Sequence, residues 1–361
     1  MLALPDFPWD RLLPYRERAA AHPGGVVDLS VGTPVDPTPE PVRAALAAAA
    51  DAPGYPQTYG TPRLREAVAA WLRNTHGVSG ADPDAVLPVI GTKEVVAWLP
   101  TLLGFGAGDT VVFPELAYPT YDVGARLAGA NSVATDGLLT LGPVRPALVW
   151  VNSPSNPTGK VLPAEHLRKV VSWARERGAV VVSDECYLDY GWDADRAPVS
   201  VLHPDVCGGS HDGLLAVNSL SKRSNLAGYR AGFVTGDPVL VRRLLEVRKH
   251  AGMIVPAPVQ AAMVAAFEDE THVAEQRERY ARRRALLRAA FERHGFRIDH
   301  SEASLYLWAT RGEPCWETVG HLADLGIIVG PGDFYGPAGA NHVRIAFTAT
   351  DERVEAGAAR L

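Results

Sequence analysis

The sequence predicts an α/β protein with a large domain, built on a mostly parallel sheet with helices on both faces, and a smaller α+β domain. Between about residues 85 and 235, short apolar runs alternate with amphipathic segments. Continuous apolar strands are typical of parallel sheets that are covered on both faces. With 361 residues, the chain is also longer than one ordinary domain. We therefore expect one large sheet and a second domain beside it.

Six apolar runs are the predicted strands of this sheet. They are residues 86–90, 110–113, 147–151, 180–182, 214–217 and 231–234. Helices are predicted between them at residues 93–103, 118–128 and 164–177. Polar residues that follow the strands are expected to meet at one edge of the sheet, where ligands bind in open α/β folds.

The segments on either side of this region complete the predicted domains. Before it come a proline-rich arm with a helical candidate at 9–21, a strand at 26–34 that ends in a glycine-proline turn, and helices at 39–50 and 63–75. After residue 237 come helices as far as 294 and short strands at 297–300, 305–309, 326–329 and 343–347. We expect residues 41–250 to form the large domain, and residues 1–40 with 251–361 to form the small domain.

Composition and charge narrow the class of protein. A hydrophobic fraction of 47%, a charged fraction of 21% and a net charge of -6 describe an ordinary soluble globular protein. This mildly acidic balance gives no reason to expect nucleic acid or an anionic membrane as a partner. The run Arg282-Arg283-Arg284 is accordingly predicted to be a solvated helix face.

The predicted location is the cytoplasm. Residues 1–10 lack a basic segment followed by an apolar one, and no apolar run reaches transmembrane length. The three cysteines, Cys186, Cys207 and Cys315, are odd in number and far apart, which fits neither a disulfide framework nor a metal site. A reducing compartment is therefore expected.

The stretch Ser219-Leu220-Ser221-Lys222 follows the apolar run at 214–217 and is the first candidate for chemistry. A lysine just beyond a strand can act as an amine nucleophile, and Arg230, eight positions on, can bind an anion. A plain surface loop with two cations explains Lys222 and Arg230 equally well when this stretch is considered alone.

Three more polar stretches follow predicted strands. Asn156 lies in the turn Ser155-Asn156-Pro157-Thr158-Gly159, Asp184 and Tyr187 lie in Asp184-Glu185-Cys186-Tyr187, and Gly91-Thr92-Lys93 begins a helix. Taken singly, they read as a turn, a helix cap and a helix start. A helix start can also bind phosphate, because its free N–H groups favour an anion.

Together these stretches resemble the class I, fold type I, pyridoxal-phosphate-dependent aminotransferases. The motifs are Ser-Asn-Pro-Thr-Gly, Asp-Glu-x-Tyr, and Ser-x-Ser-Lys followed by Gly-Tyr-Arg, and the resemblance extends from Gly32 to Arg344. It implies a large domain with a mostly parallel seven-stranded sheet, a smaller α+β domain and bound pyridoxal 5′-phosphate.

The resemblance also implies a role for each motif residue. Lys222 would form the Schiff base with the cofactor aldehyde and move the proton of the substrate, which requires an amine that is neutral part of the time. Asp184 would keep the pyridine nitrogen protonated, so that the ring can accept electrons. Tyr187 and Asn156 would donate hydrogen bonds to the phenolic oxygen, and Tyr118 would stack on the ring.

The phosphate and the substrate carboxylate would have their own residues. The implied phosphate site consists of Gly91, Thr92, Lys93, Ser219 and Arg230, with Tyr55 reaching it from the neighbouring subunit of a homodimer. Arg344 would bind the α-carboxylate through a bidentate fork, and Gly32 would let the chain approach that carboxylate closely. Cys186 is interpreted as a small buried filler between two site residues.

The implied reaction is ping-pong transamination between an amino acid and a 2-oxo acid. The whole-chain pattern looks most like actinobacterial N-succinyldiaminopimelate aminotransferases of lysine and diaminopimelate biosynthesis, which implies glutamate and N-succinyl-2-amino-6-oxopimelate as substrates. Motifs that carry this likeness are residues 6–10, 22–25, 114–118, 248–253 and 331–336. Both substrates have a second carboxylate, for which Arg248 and Lys249 are candidate ligands.

Other functions remain open at this point. An aspartate or broad-specificity aminotransferase, a carbon–sulfur lyase and a relative of the cyclopropane-carboxylate synthases would share the cofactor site. A non-catalytic amine sensor is a different class, but such regulators carry a DNA-binding module, and the sequence offers neither a spare segment nor a basic patch for one.

Overall fold

The computed structural model describes residues 4–5 and 7–361. Asp6, which belongs to the amino-terminal motif above, lies outside the described residues, as do residues 1–3. Within the described part of the chain, no helix is long and apolar enough to cross a bilayer.

A seven-stranded sheet forms the centre of the molecule, with the strand order β2-β8-β7-β6-β5-β3-β4. Its strands are β2 Val86–Ile90, β3 Thr110–Phe113, β4 Asn131–Ala134, β5 Leu148–Asn152, β6 Val180–Asp184, β7 Leu214–Ser219 and β8 Ala231–Gly236. All neighbours pair in parallel except β8, which is antiparallel to both β2 and β7. The prediction of a mostly parallel seven-stranded sheet is therefore confirmed.

Helices cover both faces of this sheet and extend into the remainder of the chain. They are α1 Leu13–Ala20, α2 Glu40–Ala48, α3 Pro62–His76, α4 Thr92–Leu102, α5 Thr120–Ala128, α6 Ala164–Arg177, α7 Pro204–Cys207, α8 Leu220–Arg223, α9 Pro238–Ala251, α10 Ala257–Glu268, α11 Thr271–Arg293, α12 Cys315–Asp324 and α13 Asp351–Ala359.

The apolar strands are buried on both faces because alternate side chains enter two separate cores. Val149 and Val151 of β5 pack with α6 in one core. Leu148 and Trp150 of the same strand pack in the other core with α4 and α5. At about 25 cal/mol per Å² of apolar surface buried, these two layers are the main source of stability. They hold the strand ends in fixed positions.

Two smaller sheets are built mainly from the carboxyl-terminal part of the chain. Strands β9 Arg297–Asp299, β10 Tyr306–Thr310, β12 Gly330–Pro331 and β13 Val343–Ala346 form an antiparallel sheet with the order β12-β13-β10-β9. Strands β1 Val27–Asp28 and β11 Ile327–Ile328 form a separate parallel pair. The amino-terminal segment is thus paired with the carboxyl-terminal part of the chain.

Several predicted elements have different bounds in the structure. The helix expected at 9–21 begins as a 3-10 helix over Pro8–Leu12 and continues as α1. The strand expected at 26–34 is only β1, and β4, α12 and α13 were not predicted. The domain boundary at residue 250 stays a prediction. Helix α10, which follows that residue, packs against α2 and α3 and contributes Met263 and Phe267 to the core of the large sheet.

The prediction that Arg282-Arg283-Arg284 is a solvated face is wrong. The Arg283 side chain is 4% exposed, and its guanidinium donates hydrogen bonds to both carboxylate oxygens of Asp36, at 2.7 and 2.8 Å. It also pairs with Asp351 at 2.5 Å. Arg284 donates to the carbonyl of Ser301 at 2.9 Å. Two of the three arginines therefore hold α11 against other segments.

We predict that Asp36→Ala lowers the free energy of unfolding by about 3 kcal/mol, because Arg283 loses its most buried partner. Although burial acts to raise the pKa of Asp36, the hydrogen bond from Arg283 holds it below the usual value. The contribution is therefore complete above the unfolded pKa of about 3.9 and is lost as the pH falls through the folded pKa. Urea unfolding at several pH values measures both effects.

The matched control is Glu292→Ala, which removes an exposed partner of Arg288 on the same helix. An exposed i,i+4 pair contributes about 0.5 kcal/mol or less. Equal destabilisation by the two changes would contradict a structural role for the pair between Arg283 and Asp36.

Candidate active site

Polar side chains from four strand connections meet at one edge of the large sheet. Asp184 ends β6, Lys222 lies on α8 directly after β7, and Asn156 follows β5. Thr92 begins α4 after β2, and Arg230 directly precedes β8. Because β8 is antiparallel to its neighbours, its start and the carboxyl ends of the other strands lie at the same edge.

Asp184 is a buried carboxylate whose partners are all uncharged. Its Oδ2 accepts a hydrogen bond from the Tyr121 hydroxyl at 2.8 Å, and its Oδ1 accepts one from the backbone N–H of Cys186 at 3.2 Å. Burial raises the pKa of Asp184, and these hydrogen bonds offset part of that rise. No Lys, Arg or His side chain in the described part of the chain pairs with it. A cation bound beside Asp184 would stabilise its ionised form.

Lys222 presents its amine to the centre of the same region. The ammonium nitrogen donates a hydrogen bond to the backbone carbonyl of Gly32. Burial lowers the pKa of Lys222, and the positive charges of Arg344 and Arg230 act in the same direction, whereas Tyr306 acts to raise it. The neutral amine is therefore more accessible here than in a solvated lysine.

A candidate anion-binding site lies between the start of α4 and the segment before β8. No side chain caps the first turn of α4, whose N-cap is Gly91 with φ 74°. The positive φ of Gly91 favours glycine, and a Cβ at this position would displace the guanidinium of Arg230. Arg230 has a left-handed backbone with φ 56°, and one nitrogen of its guanidinium donates to the carbonyl of Ala227 at 2.7 Å. Ser219, buried at the end of β7, caps α8 through its hydroxyl.

Arg344 on β13 is 4% exposed and lies between the small sheet and the large-sheet edge. Its guanidinium donates to Asn156 Oδ1 at 2.7 Å and to the carbonyl of Ser30 at 2.7 Å. It lies 4.0 Å from the ring centroid of Tyr306 and 4.9 Å from that of Tyr335. Aromatic faces and carbonyl oxygens partly replace the water that this cation has lost.

Tyr187 and Tyr306 share a hydrogen bond of 2.7 Å between their hydroxyl groups. Burial acts to raise the pKa of Tyr306, but the charges of Arg344 and Lys222 lower it overall. Gly32 lies against this pair, since a Cβ at that position would overlap with the Tyr306 hydroxyl. Sequence reasoning did not find Tyr306, which lies within an apolar strand of the small sheet.

Two further residues that sequence reasoning left without a role organise the site. Tyr121 binds Asp184 as described above, and its ring stacks on Trp150 with centroids 4.8 Å apart. The Asn152 side chain donates to the carbonyl of Asp184 at 3.0 Å and accepts from the backbone N–H of Asn156 at 2.8 Å. The only sequence signal for Asn152 was an amide side chain directly after the predicted strand at 147–151.

Tyr118 and Cys186 lie beside Asp184. Burial raises the pKa of Tyr118 to about 12, and the negative charge of Asp184 adds to the rise. The Tyr118 ring packs edge-to-face against Tyr121 at 5.9 Å. The Cys186 thiol donates to the Thr92 hydroxyl at 3.4 Å, and burial raises the pKa of the thiol. A thiol with a raised pKa is a poor nucleophile.

Four predicted residues lie outside this cluster. The Lys93 amine is 5.7 Å from the ring centroid of Phe7, and the Tyr55 side chain is fully exposed. The candidate assignment of Arg248 to a distal carboxylate is wrong, because its side chain is fully buried and bonded to Glu94 Oε1 at 2.8 Å. Lys249 is paired with Glu246 at 2.7 Å on the exposed side of α9.

The chain belongs to the family described as Aminotransferase class I and II, whose match extends over residues 24–361. A crystal structure of an aminotransferase from Neisseria meningitidis superposes with a TM-score of 0.89 at 31% identity, covering 99% of this chain and 97% of the other. The fold and the family together define a pyridoxal-phosphate-dependent aminotransferase.

Relatives of known sequence are also named as transaminases. The chain is 67% identical over 361 residues to the 4-dedimethylamino-4-oxo-anhydrotetracycline transaminase OxyQ of Streptomyces rimosus, with all of both chains covered. It is 65% identical to the probable aminotransferase Rv1178 of Mycobacterium tuberculosis, covering 99% of this chain and 85% of the other. Identity to an LL-diaminopimelate aminotransferase of Gloeobacter violaceus is 33% over 383 residues, covering 98% of this chain and 96% of the other.

The residues described above fit the cofactor. Asp184 lacks a cationic partner in the described chain, which a protonated ring nitrogen would supply. The uncapped first turn of α4 and the exposed guanidinium of Arg230 suit a phosphate group. The buried Lys222 amine suits an aldehyde carbon. Pyridoxal phosphate supplies that aldehyde and a ring that accepts electrons.

We predict that Asp184→Asn lowers kcat by about 100-fold or more while the protein keeps its bound cofactor. The variant amide preserves the shape of the side chain but removes the charge that favours a protonated ring nitrogen. Steady-state kinetics and the visible absorption of the purified protein measure the two properties. Glu185→Gln is the neighbouring control at a carboxylate that bonds to Ser200 and Val201 instead.

Proposed function

We propose that Lys222, Asp184 and Arg344 are the working groups of a ping-pong transamination site. The observation that supports this most directly is that the half-buried amine of Lys222, the buried carboxylate of Asp184 and the buried guanidinium of Arg344 form no ion pairs with one another. An enzyme that binds a charged cofactor and a zwitterionic substrate needs such unpaired groups, because the ligands complete them.

In this proposal Lys222 holds the cofactor between turnovers and moves a proton of the substrate during each half-reaction. Its lowered pKa makes the neutral amine available as a base, and the carbonyl of Gly32 orients the amine. Asp184 would keep the ring nitrogen of the cofactor protonated. Tyr187 and Asn156 are the proposed donors to the phenolic oxygen.

The proposed anchor for the substrate is the Arg344 guanidinium. It is held by Asn156 and by the carbonyl of Ser30, so its orientation is set before a carboxylate arrives. A bidentate pair with an α-carboxylate would be worth about 1.5–3 kcal/mol per charge-assisted hydrogen bond. Gly32 keeps the approach to this group open. The proposed phosphate ligands are Gly91, Thr92, Lys93, Ser219 and Arg230. Because the Lys93 side chain is exposed, we propose that Lys93 contacts the phosphate through its backbone N–H.

For the substrate pair we propose glutamate with N-succinyl-2-amino-6-oxopimelate, which would place the enzyme in lysine and diaminopimelate synthesis. The support is the α-carboxylate clamp at Arg344 and the likeness over almost the whole chain to enzymes named LL-diaminopimelate aminotransferases. Their identity to this chain is about half of that of OxyQ, so the finer assignment depends on experiment.

A second candidate acceptor is a 4-dedimethylamino-4-oxo-anhydrotetracycline. The specific observation in its favour is the 67% identity to OxyQ over the full length of both chains. Glutamate can serve as amino donor in either case. The two candidates therefore differ in the acceptor half-reaction alone.

We predict that glutamate and the succinylated diaminopimelate give kcat/KM values about 100-fold above those of alanine or phenylalanine. The reason is that a second polar group in the substrate adds contacts that a small or aromatic side chain cannot make. Single-turnover absorbance changes with each amine, followed by each oxo acceptor, measure the two half-reactions separately.

Three results would redirect this assignment. Comparable rates with aromatic or branched amino acids would remove the diaminopimelate assignment and leave the class intact. Preference for the oxo-anhydrotetracycline over the succinylated oxo acid would favour the second candidate. Release of a thiol, ammonia and an oxo acid from a sulfur-containing amino acid, without any acceptor, would indicate a carbon–sulfur lyase.

We also propose a cytoplasmic homodimer in which each subunit completes the other's site. Tyr55 is fully exposed within one chain. The family resemblance implies that this tyrosine reaches the phosphate of the neighbouring subunit. A fully exposed tyrosine is explained if a second copy of the chain covers it. The free cysteines, two of them buried, suit a reducing compartment.

We predict that Tyr55→Phe weakens cofactor binding by about 10-fold, because one hydrogen bond to a charged phosphate is lost. Tyr15→Phe is the matched control, since Tyr15 packs on Trp316 in the small domain. Equilibrium dialysis measures the cofactor, and sedimentation measures the mass. A monomer, or an unchanged dissociation constant in Tyr55→Phe, would contradict the shared site.

A further inference from the structure

A cavity of about 790 Å³ lies beside the loop that carries Asn156, and Ser155 and Thr158 of that loop line it. Strands β3 and β5 diverge in their connections, since β3 continues to β4 on one side and β5 to β6 on the other. Such switch points leave a crevice at the carboxyl ends of the strands. The cavity lies at this crevice, between β3, β5 and α6.

The cavity exists because the connection from β4 to β5 is too short to cover the sheet. Residues 135–147 form this connection, and their only helical turn is the 3-10 helix Leu138–Leu141. Elsewhere on this face, α6 buries the strands. The apolar side chains in the cavity wall include Val112, Val149, Val151, Leu138, Val170 and Trp173.

Two lysines, Lys160 and Lys169, and two histidines, His166 and His300, line the same cavity, and Asp136 is the one carboxylate among the lining residues. Asp136 already accepts a hydrogen bond from the backbone N–H of Glu115 at 3.1 Å, and Lys169 pairs with Glu165 at 2.7 Å. Lys160 forms no ion pair with any residue that the structure describes. A positive charge is therefore available beside an apolar wall.

Two further observations support a ligand. Burial lowers the pKa of His166, and the charges of Lys160 and Lys169 lower it further, which shows that the three groups lie within electrostatic reach of one another. The indole N–H of Trp173 is shielded from solvent and has no acceptor within residues 4–5 and 7–361. A carboxylate would satisfy the cations, and an apolar body would fill the remaining space.

We propose that this cavity binds a free amphipathic monocarboxylate, with its carboxylate at Lys160 and its apolar chain against Val149 and Val170. Its volume lies within the range of about 300–1,000 Å³ that is typical of small-molecule sites. Asn152, Ser155 and Thr158 line the cavity on one side of the loop, while Asn156 of the same loop holds Arg344. The site is thus separate from the amino-acid site but shares a loop with it.

The test is isothermal calorimetry of the holoenzyme with octanoate, and with octan-1-ol as the neutral probe of similar length. We expect saturable binding of one octanoate per subunit. Lys160→Gln, at an exposed position, should weaken octanoate by about 10-fold and leave octan-1-ol unchanged, because only the charge-assisted contact is lost. Val170→Phe should abolish both by filling the cavity.

The control variants separate this site from other places where a carboxylate could bind. Lys249→Gln, an exposed lysine on α9, should leave both probes unchanged, and so should Arg344→Lys in the amino-acid site. The proposal is overturned if octanoate does not saturate, if Lys160→Gln binds it as tightly as the unaltered protein, or if Arg344→Lys abolishes binding. A lower oligomer mass in Leu139→Glu would assign the exposed mouth of the cavity to a subunit interface and also overturn it.

Discussion

The buried guanidinium of Arg344, which pairs with no carboxylate of residues 4–5 and 7–361, connects the three distant segments that form the site. Arg344 comes from the small sheet, Ser30 from the amino-terminal segment and Asn156 from the large domain, and the hydrogen bonds between them are both 2.7 Å long. Removing a cation from water costs several kcal/mol unless other groups replace the water. Two carbonyl-type oxygens and the faces of Tyr306 and Tyr335 do this only in part.

The same imbalance recurs at Asp184 and Lys222, whose burial raises the pKa of the acid and lowers the pKa of the amine. Each group by itself makes the folded chain less stable than a neutral residue would. The two apolar cores on either side of the large sheet offset that cost.

The sequence was most informative where local pattern and burial coincide. The strands β2, β3 and β5 to β8 were predicted because they are apolar on both faces, and the motif residues follow them directly. The edge strand β4 was missed because Asn131–Ala134 is polar and only partly buried. Asn156, Asp184 and Lys222 could be found from their motifs, whereas Tyr306 has no motif and meets Tyr187 from 119 residues away.

Long-range pairing also explains the errors about charged residues. Arg283 cannot be distinguished from Arg282 by local pattern, since its partner Asp36 is 247 residues away. Arg248 looked available because its buried partner Glu94 is 154 residues distant. The contacts of Tyr55 lie beyond one chain in the proposed dimer, so neither the sequence nor a single chain's geometry contains them. In each case the deciding group is remote in sequence.

The amide of Asn152 has a consequence for how the two half-reactions can vary. It bonds to the carbonyl of Asp184 and to the backbone N–H of Asn156, so one side chain sets the spacing between the ends of β5 and β6. In the proposed mechanism, one of these ends faces the cofactor and the other faces the substrate. Donor and acceptor occupy the same position in turn, and a shift in this spacing would slow both by a similar factor. The Asn152 amide thus sets one distance on which both half-reactions depend. We expect a change of acceptor to leave that distance unchanged.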